Sequence, residues 1–311
     1  MRGTILTRIQ HAKKALRGAA DSIGIVTNFS LRTQPAPEEV INFNYEFRTL
    51  AESVEQAVSA FTRLQNFISN TTAVDRRLSF ALQTVVMPNA TAANVNRAIL
   101  IEGTFMGTLA EYTSRIEPEM LRGLPDATDR RVLSHDWPSS LAALSMDGTL
   151  EPRPMHIDFF ANSVTVDNPG MNEAALRSYL TYMLEGPVPP VPYTSSMDLW
   201  GGADSQINLS EKDASFAAFP HRNVFWAVHN MAQMQSDAPF PDEGITYMTG
   251  LRDSIIQGLD VGWAAYQNLL DTTLTRDEAH ELYYGDAVLE RLQAIKAVYD
   301  PGNVFSNPQS I

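Results

Sequence analysis

The spacing of hydrophobic and polar residues along the chain predicts a mixture of strands and amphipathic helices. Over residues 52–68 the apolar residues recur at intervals of three and four, which places them on one helical face. Residues 40–47 are rich in aromatic and β-branched side chains, which favour strands. The pattern also predicts strands at 25–33, 78–86, 97–103, 197–200 and 225–229, and a short, partly apolar segment at 158–163. It predicts a turn at 88–89. Further helices are predicted at 109–121, 173–184, 246–259, 276–285 and 287–298.

The order of these elements separates two fold classes. A doubly wound sheet requires strict alternation of strands and helices, whereas this chain begins strand, strand, helix, strand, strand, helix. Pro35 and Pro37 end the first strand, because proline cannot donate to a sheet ladder. We therefore predict an α+β fold, in which helices cover one face of a large antiparallel sheet.

Length and charge narrow the possible partners. With 311 residues, the chain is long enough for two packed domains. It has 23 Lys and Arg residues against 36 Asp and Glu residues, which gives a formal charge of −13. A phosphate-binding surface needs an excess of cations, so we expect neither nucleic acid nor an anionic membrane as a partner. No apolar run approaches the length that would cross a bilayer.

Few catalytic motifs are present. The chain has no cysteine, which excludes disulfides, thiolate metal sites and cysteine nucleophiles formed by its own residues. Its six histidines lack metal-site spacing, and we predict no metal site. Asp198 lies in an apolar strand, where a buried carboxylate needs a hydrogen-bond or ionic partner. It is either a satisfied structural carboxylate or a group that polarises a neighbouring acid or base.

The end of the chain carries a dense and ordered set of motifs. Leu-Tyr-Tyr-Gly at 282–285 precedes Leu-Glu-Arg-Leu-Gln-Ala-Ile-Lys at 289–296 and Tyr-Asp-Pro-Gly-Asn-Val-Phe at 299–305. This combination resembles the C-terminal signature of berberine-bridge-enzyme-like FAD-linked oxidoreductases. Leu-Arg-Gly-Ala-Ala-Asp-Ser-Ile-Gly-Ile-Val-Thr at 16–27 is similar to the segment that closes the FAD-binding domain in that family. Residues 103–107 and 158–163 fall where the sugar-oxidising members have similar segments.

The resemblance implies FAD as the cofactor and a division of the chain into parts. Residues 15–34 would end the FAD-binding domain, 35–260 would form the substrate domain, and 261–311 would return to the FAD side. Residues 1–14 match nothing in the family, and most of the FAD-binding domain has no counterpart in this sequence. The family suggests secretion, but no signal peptide is visible at the start of the sequence, and the location stays open.

The resemblance also assigns roles to individual residues. The residues expected to contact the flavin are Gly18, Gly24, Ile25, Val26, Tyr266 and Asn268. Gly24 has an alternative interpretation as an ordinary glycine at the start of a strand. In the family motif Tyr-x-Asn-Tyr-x-Asp the second tyrosine is the general base of the carbohydrate oxidases, and here that position is Leu269.

Loss of this tyrosine leaves three interpretations open. Asp198 aligns with the acidic partner of the tyrosine, and it could itself accept the proton. Tyr266 could replace the missing base, or the alcohol oxidase chemistry is lost. The residues at substrate-facing positions are Ala81, Gln83, Ser196, Trp226 and His229. Trp226 either stacks on a sugar ring or belongs to the core.

Two functions follow. The first is an FAD-dependent oxidoreductase that transfers a hydride from an alcohol, in an oligosaccharide or a secondary metabolite, to flavin, with oxygen as the acceptor. Asp198 and Tyr266 are its candidate catalytic residues. The second is a truncated, non-catalytic substrate domain that binds no flavin. In that case an uncovered apolar face would lead to self-association.

Overall fold

Eight strands form one antiparallel sheet in the computed structural model, which describes residues 15–87, 95–145, 148–151, 157–202, 204–209, 217–234 and 239–311. The strands are β1 (Val40–Phe47), β2 (Leu78–Met87), β3 (Asn96–Phe105), β4 (Asp129–His135), β5 (Asp158–Asp167), β6 (Tyr193–Leu199), β7 (Val224–Met234) and β8 (Trp263–Ala264). Their order across the sheet is β4-β1-β3-β2-β6-β7-β5-β8.

Three helices form a layer on one face of this sheet: Val54–Ile68, Glu173–Leu184 and Asp242–Ile256. The first begins where the Ser53 side chain accepts a hydrogen bond from the Gln56 amide. The remaining helical segments are Ala20–Ser22, Thr49–Glu52, Leu109–Glu111, Tyr112–Ile116, Glu117–Leu121, Trp137–Leu144, Gln206–Leu209 and Arg276–Tyr299. The predicted α+β class with a large antiparallel sheet is confirmed.

The main core lies between the sheet and the three helices. In β1, Phe43, Tyr45 and Phe47 point into this core, while Asn42 and Asn44 alternate to the opposite face. The apolar face predicted for the first helix is buried as expected, at Val54, Ala57, Val58, Phe61, Leu64 and Ile68. Each large side chain buried here stabilises the fold by about 1.5–3 kcal/mol.

A second, smaller core joins the start of the described chain to its end. Ala19 and Ile23 pack there with Tyr283, Tyr284 and Ile295. Next to it lies the buried Lys296, whose Nζ donates to Asp300 Oδ2 at 3.0 Å, to the Ser22 carbonyl at 2.7 Å and to the Phe305 carbonyl at 2.8 Å. Residues 15–23 are therefore held against the C-terminal segment by apolar contacts and by the hydrogen bond from Lys296 to the Ser22 carbonyl.

The strand predicted at 25–33 is wrong. The segment has no strand pairing in the structure, and its apolar side chains Ile25, Phe29 and Leu31 are exposed by 79%, 69% and 82%. An alternating pattern stabilises a strand only where a neighbouring strand accepts its hydrogen bonds, and none in the described chain does so here. The turn predicted at 88–89 lies outside the described residues.

Other differences are local. The predicted helices at 276–285 and 287–298 are the two arms of Arg276–Tyr299, which bends at Gly285, where φ is 62°. The predicted helix at 109–121 contains a π-helical turn, Tyr112–Ile116. The sequence patterns predicted neither β4 nor the helix Trp137–Leu144. The strand β4 lies at the edge of the sheet and its side chains are mostly exposed, so it lacks an apolar alternation.

The Lys296 contacts lead to a stability prediction. Lys296→Met keeps the bulk of the side chain but leaves the Asp300 carboxylate without its cation and two carbonyls without a donor. We expect the free energy of unfolding, measured by denaturant titration, to fall by about 3 kcal/mol. Gln293→Met places the same side chain at an exposed position of the same helix and should change stability by less than about 0.5 kcal/mol. Equal effects of the two variants would contradict the assigned role.

Candidate functional site

The sheet face opposite the three helices carries an open cleft of about 750 Å³. Residues of β1, β2, β3, β4 and β6 form its floor, and the helix Trp137–Leu144 contributes Ala143 and Leu144 to one side. This helix is held to β1 through Ser140, whose hydroxyl donates to Asn42 Oδ1 and whose carbonyl accepts from Asn42 Nδ2. The cleft has the size of an ordinary small-molecule site.

Strand register places polar side chains side by side on the floor of the cleft. Asp198 pairs with Ala81, Ala81 with Glu102, Glu102 with Asn44, and Asn44 with Arg131. Residues that pair across neighbouring strands project from the same face of a sheet. A single row across five strands therefore presents two carboxyl groups, an amide and a guanidinium to the cleft.

Glu102 is one of the two carboxylates of this row and lies in its middle. Its carboxyl accepts hydrogen bonds from Gln83 Nε2 and from Asn44 Nδ2, the second at 3.2 Å. Burial raises the pKa of Glu102, the Asn44 hydrogen bond opposes this rise, and the negative charge of Asp198 adds to it.

Asp198 lies at the other end of the row, where β6 meets β7. Its Oδ1 accepts a hydrogen bond from Ser196 Oγ at 2.6 Å, and its Oδ2 is 3.5 Å from Nδ1 of His229. Burial lowers the pKa of His229, and the negative charge of Asp198 opposes this shift. Its Nε2 is buried and has no hydrogen-bond partner among the described residues.

Aromatic rings stand beside this pair. The Tyr266 ring lies parallel to His229, with centroids 6.0 Å apart, and meets the Trp200 ring edge-on at 4.8 Å. Asn268 Nδ2 donates to the Tyr266 hydroxyl at 2.6 Å, and the Tyr266 amide donates to Ser163 Oγ on β5 at 2.9 Å. The C-terminal segment thus places Tyr266 over the sheet at the end of the cleft where Trp200 stands.

The structure brings most of the predicted site residues together. Asp198, Ser196, His229 and Tyr266 form one cluster, and Gln83 holds Glu102 in the same face of the sheet. Asp198 is half-buried rather than enclosed by apolar residues, because its position in β6 points to the open face.

Trp226 does not fit its predicted role as a substrate residue. It is buried on the helix-covered face of β7, where Nε1 donates to Gln65 Oε1 of the first helix at 2.9 Å. Adjacent residues of a strand point to opposite faces, so Trp226 and Ala227 cannot both reach the cleft side. The alternative interpretation of Trp226 as a core residue is the one that matches the structure.

The residues expected to contact flavin form an exposed edge. A side chain at Gly18 would meet Gln267, the neighbour of Tyr266, at 3.1 Å, so residues 15–23 lie next to this part of the site. No heavy atom lies within 4 Å of the position that a Gly24 side chain would occupy, Val26 is half-buried, and Ile25 is exposed. Open space beside a glycine and an exposed apolar side chain fit one side of a planar flavin ring.

Several contributors to the site were not predicted from the sequence, among them Asn44, Glu102, Arg131 and Trp200. Glu102 and Trp200 lie in segments that the patterns identified only as strands. For Glu102 a signal was present, since Leu100, Glu102 and Thr104 alternate with the buried residues of β3 and must face away from the core. Trp200 follows the end of β6, and its exposure depends on how the chain turns there.

No group of three or more His, Asp or Glu side chains within the described residues is arranged to hold a metal ion. None of the helices in the described part of the chain has the length and apolar character that crossing a bilayer requires.

The sequence of this chain is similar to those of several FAD-linked oxidases. The model of the berberine and berberine-like family matches residues 265–311. Glucooligosaccharide oxidase of Sarocladium strictum is 29% identical over 307 residues, which cover 96% of this chain and 58% of that protein. Chitooligosaccharide oxidase of Gibberella zeae is 27% identical over 304 residues, covering 95% of this chain and 57% of that protein.

The fold agrees with these sequence matches. Xylooligosaccharide oxidase from Myceliophthora thermophila, solved in complex with xylobiose, superimposes with a TM-score of 0.78 at 24% identity, over 96% of this chain and 60% of that one. The chain therefore spans little more than half the length of its curated relatives. FAD is the cofactor of this family of oxidases. The chain is similar in sequence to FAD-linked oligosaccharide oxidases, and its residues 265–311 match the berberine and berberine-like family.

Proposed function

We propose that this chain binds an oligosaccharide in the open cleft and positions one of its hydroxyl groups for FAD-dependent oxidation. The observation that supports this most directly is the cluster of Asp198, His229 and Tyr266 at one end of a polar cleft. The names of the relatives as oligosaccharide oxidases support the substrate class.

The lining of the cleft suits a polyhydroxylated ligand. Asn42, Asn44 and Glu102 supply amide and carboxylate groups, which exchange hydrogen bonds with hydroxyls. Trp200 at the end of the cleft offers an apolar ring, against which the C–H face of a sugar packs. An apolar ligand would leave the polar groups of this floor desolvated and unpaired.

Alcohol oxidation needs a proton acceptor at the hydroxyl group. FAD, when bound, supplies the hydride acceptor. Leu269 has no group that accepts a proton, so we assign this step to Asp198, which lines the cleft. Ser196 donates to one carboxylate oxygen of Asp198, and Nδ1 of His229, whose pKa is lowered by burial, lies 3.5 Å from the other. In this assignment Tyr266 orients the ligand and the flavin edge, with its hydroxyl held by Asn268.

The alternative is a substrate domain that binds its ligand but no flavin. Leu269 favours it, and so does the exposed apolar strip of Phe29 and Leu31. A strip of this kind is covered in solution by another surface or leads to self-association. The two functions differ in one observable, the presence of flavin in the purified protein.

The role of Asp198 can be tested by flavin spectroscopy. After expression with FAD supplied, we expect the purified chain to retain a flavin absorbance band, and cellotriose to bleach this band in the absence of oxygen. Asp198→Asn should slow bleaching by roughly 10²-fold or more, since it removes the proton acceptor. Asp126→Asn, at an exposed loop position, serves as the matched control and should bleach at the original rate. A folded protein without flavin would favour the alternative function, and bleaching unaffected by Asp198→Asn would exclude Asp198 as the base.

A second variant tests the meaning of Leu269. Leu269→Tyr places a phenol where the resemblance puts the family's general base, next to Tyr266 and Asn268. We expect flavin bleaching by cellotriose to become at least about tenfold faster, because a second group can then accept the proton. Leu269→Phe adds the ring without the hydroxyl and should give no increase. A similar gain in both variants would show that ring packing, rather than proton transfer, limits the rate.

A further inference from the structure

A row of polar side chains crosses the core on the covered face of the sheet. Each of β5, β6 and β7 has one Ser or Asn among its helix-facing residues, and all three are 0% exposed: Asn162, Ser195 and Asn230, here called the core polar row. The register sets them side by side, because Asn230 pairs with Ser195 on one neighbouring strand and with Asn162 on the other. Buried polar groups cost stability unless they are hydrogen-bonded, so their partners decide what they do.

Hydrogen bonds join the core polar row in one direction. The Ser195 hydroxyl donates to Asn230 Oδ1 at 2.6 Å, and Asn230 Nδ2 donates to Asn162 Oδ1 at 2.9 Å. At one end Asn162 Nδ2 donates to the Met248 carbonyl of the helix Asp242–Ile256 at 2.9 Å. At the other end the Tyr179 hydroxyl donates to Ser195 Oγ, whose single proton goes to Asn230. The row therefore links three strands to one another and to two helices.

The apolar pattern alone does not fix the register of these strands. A slip of β7 by one residue would turn its apolar residues to the open face, but a slip by two returns every residue to its own face. Val228 and Ala232 stand on either side of Asn230 on the covered face, so a slip by two would place one of them opposite Ser195. Ser195 and Asn162 would then be buried without their partner, which is strongly disfavoured. The core polar row therefore separates the observed register from its nearest alternatives.

The residues that adjoin the core polar row along each strand belong to the candidate site on the open face. In the same register Ser196 pairs with His229, and His229 pairs with Ser163. Ser196 and His229 are the two neighbours of the Asp198 carboxylate. Ser163 accepts a hydrogen bond from the Tyr266 amide. A slip of β7 by two residues would carry His229 about 7 Å along the sheet and away from Asp198.

We propose that the core polar row consists of positioning residues, whose hydrogen bonds on the covered face select the register that holds His229 beside Asp198 on the open face. None of the three side chains faces the cleft, so they act on the site through the strand backbones. The consequence for the site rests on the proposed function. The register itself is a property of the sheet, and its measurement needs neither flavin nor a ligand.

Disulfide formation measures this register directly, because the chain has no cysteine of its own. Thr194 and Met231 pair across β6 and β7. Gln233 on β7 and Pro192 just before β6 each lie two residues from this pair, in the two directions of a slip. Paired positions have the separation that a disulfide spans, whereas diagonal positions are too far apart.

Thr194→Cys/Met231→Cys should therefore oxidise at least about tenfold faster than either diagonal combination, Thr194→Cys/Gln233→Cys or Pro192→Cys/Met231→Cys. We call this ratio of initial oxidation rates the register preference.

An apolar core polar row should lose this preference. Asn162→Leu/Ser195→Ala/Asn230→Leu removes both hydrogen bonds between strands, and we expect the register preference to fall below about threefold. The control, Tyr193→Phe/Tyr247→Phe, removes a buried hydroxyl pair, 3.2 Å apart, from the same core. That pair joins β6 to a helix rather than to another strand, so the control should keep the preference.

A second measurement connects the register to the site. In the original chain Asp198→Asn should shift the imidazole NMR signals of His229, because Nδ1 lies 3.5 Å from the carboxylate. In the apolar variant this response should fall to less than about half, since the two side chains no longer stay adjacent. The control variant should keep the full response.

An unchanged register preference in the apolar variant, or an equal fall in the control, would overturn the inference while the proposed function stands. If the apolar variant does not fold, two single variants decide. Ser195→Ala removes the hydroxyl and should lower the preference, whereas Ser195→Thr keeps the hydroxyl and should not, and equal preferences in both would overturn the inference. Failure of the chain to bind flavin or an oligosaccharide would overturn the proposed function and leave the register result unaffected.

Discussion

The two-residue period of the strands is the constraint on which this structure depends. Because alternate side chains of a strand point to opposite faces, one set of residues packs against the helix layer while the other set is exposed on the open face. In β1 the helix-facing set includes Tyr45 and Phe47, and the intervening positions include Asn42 and Asn44. The same division continues through β3, where Ile101 faces the core and Glu102 faces the cleft.

The open face of the sheet forms a cleft only where other parts of the chain stand along its sides. The helix Trp137–Leu144 limits one side, and the segment that contains Tyr266 covers the sheet near β5 and β7. That segment contributes Ala265 to the second core, and Lys296 beside this core ties the start of the described chain to its end.

Much of the fold could be predicted because buried segments carry clear periodicity. The first helix and β1 to β3 follow directly from it, and so does the α+β class. Edge strand β4 was missed and the exposed segment 25–33 was wrongly predicted as a strand, since their conformation depends on which strand, if any, lies alongside. For the candidate site, the resemblance suggested Asp198 and Tyr266, whereas the register that sets Glu102 opposite Ala81 depends on long-range pairing that no local pattern specifies.

The four tryptophans of the chain allow one direct test of the central claim, that the open face of the sheet binds an oligosaccharide. In a ¹⁵N-labelled sample each indole N–H gives its own NMR signal, and the sample can be titrated with cellotriose. Trp200 lines the cleft, whereas Trp226 is buried on the opposite face and bonded to Gln65. The signal of Trp200 should shift with saturation, and that of Trp226 should not move. A ligand that leaves Trp200 unchanged, or that shifts Trp226 instead, would contradict a carbohydrate site on this face.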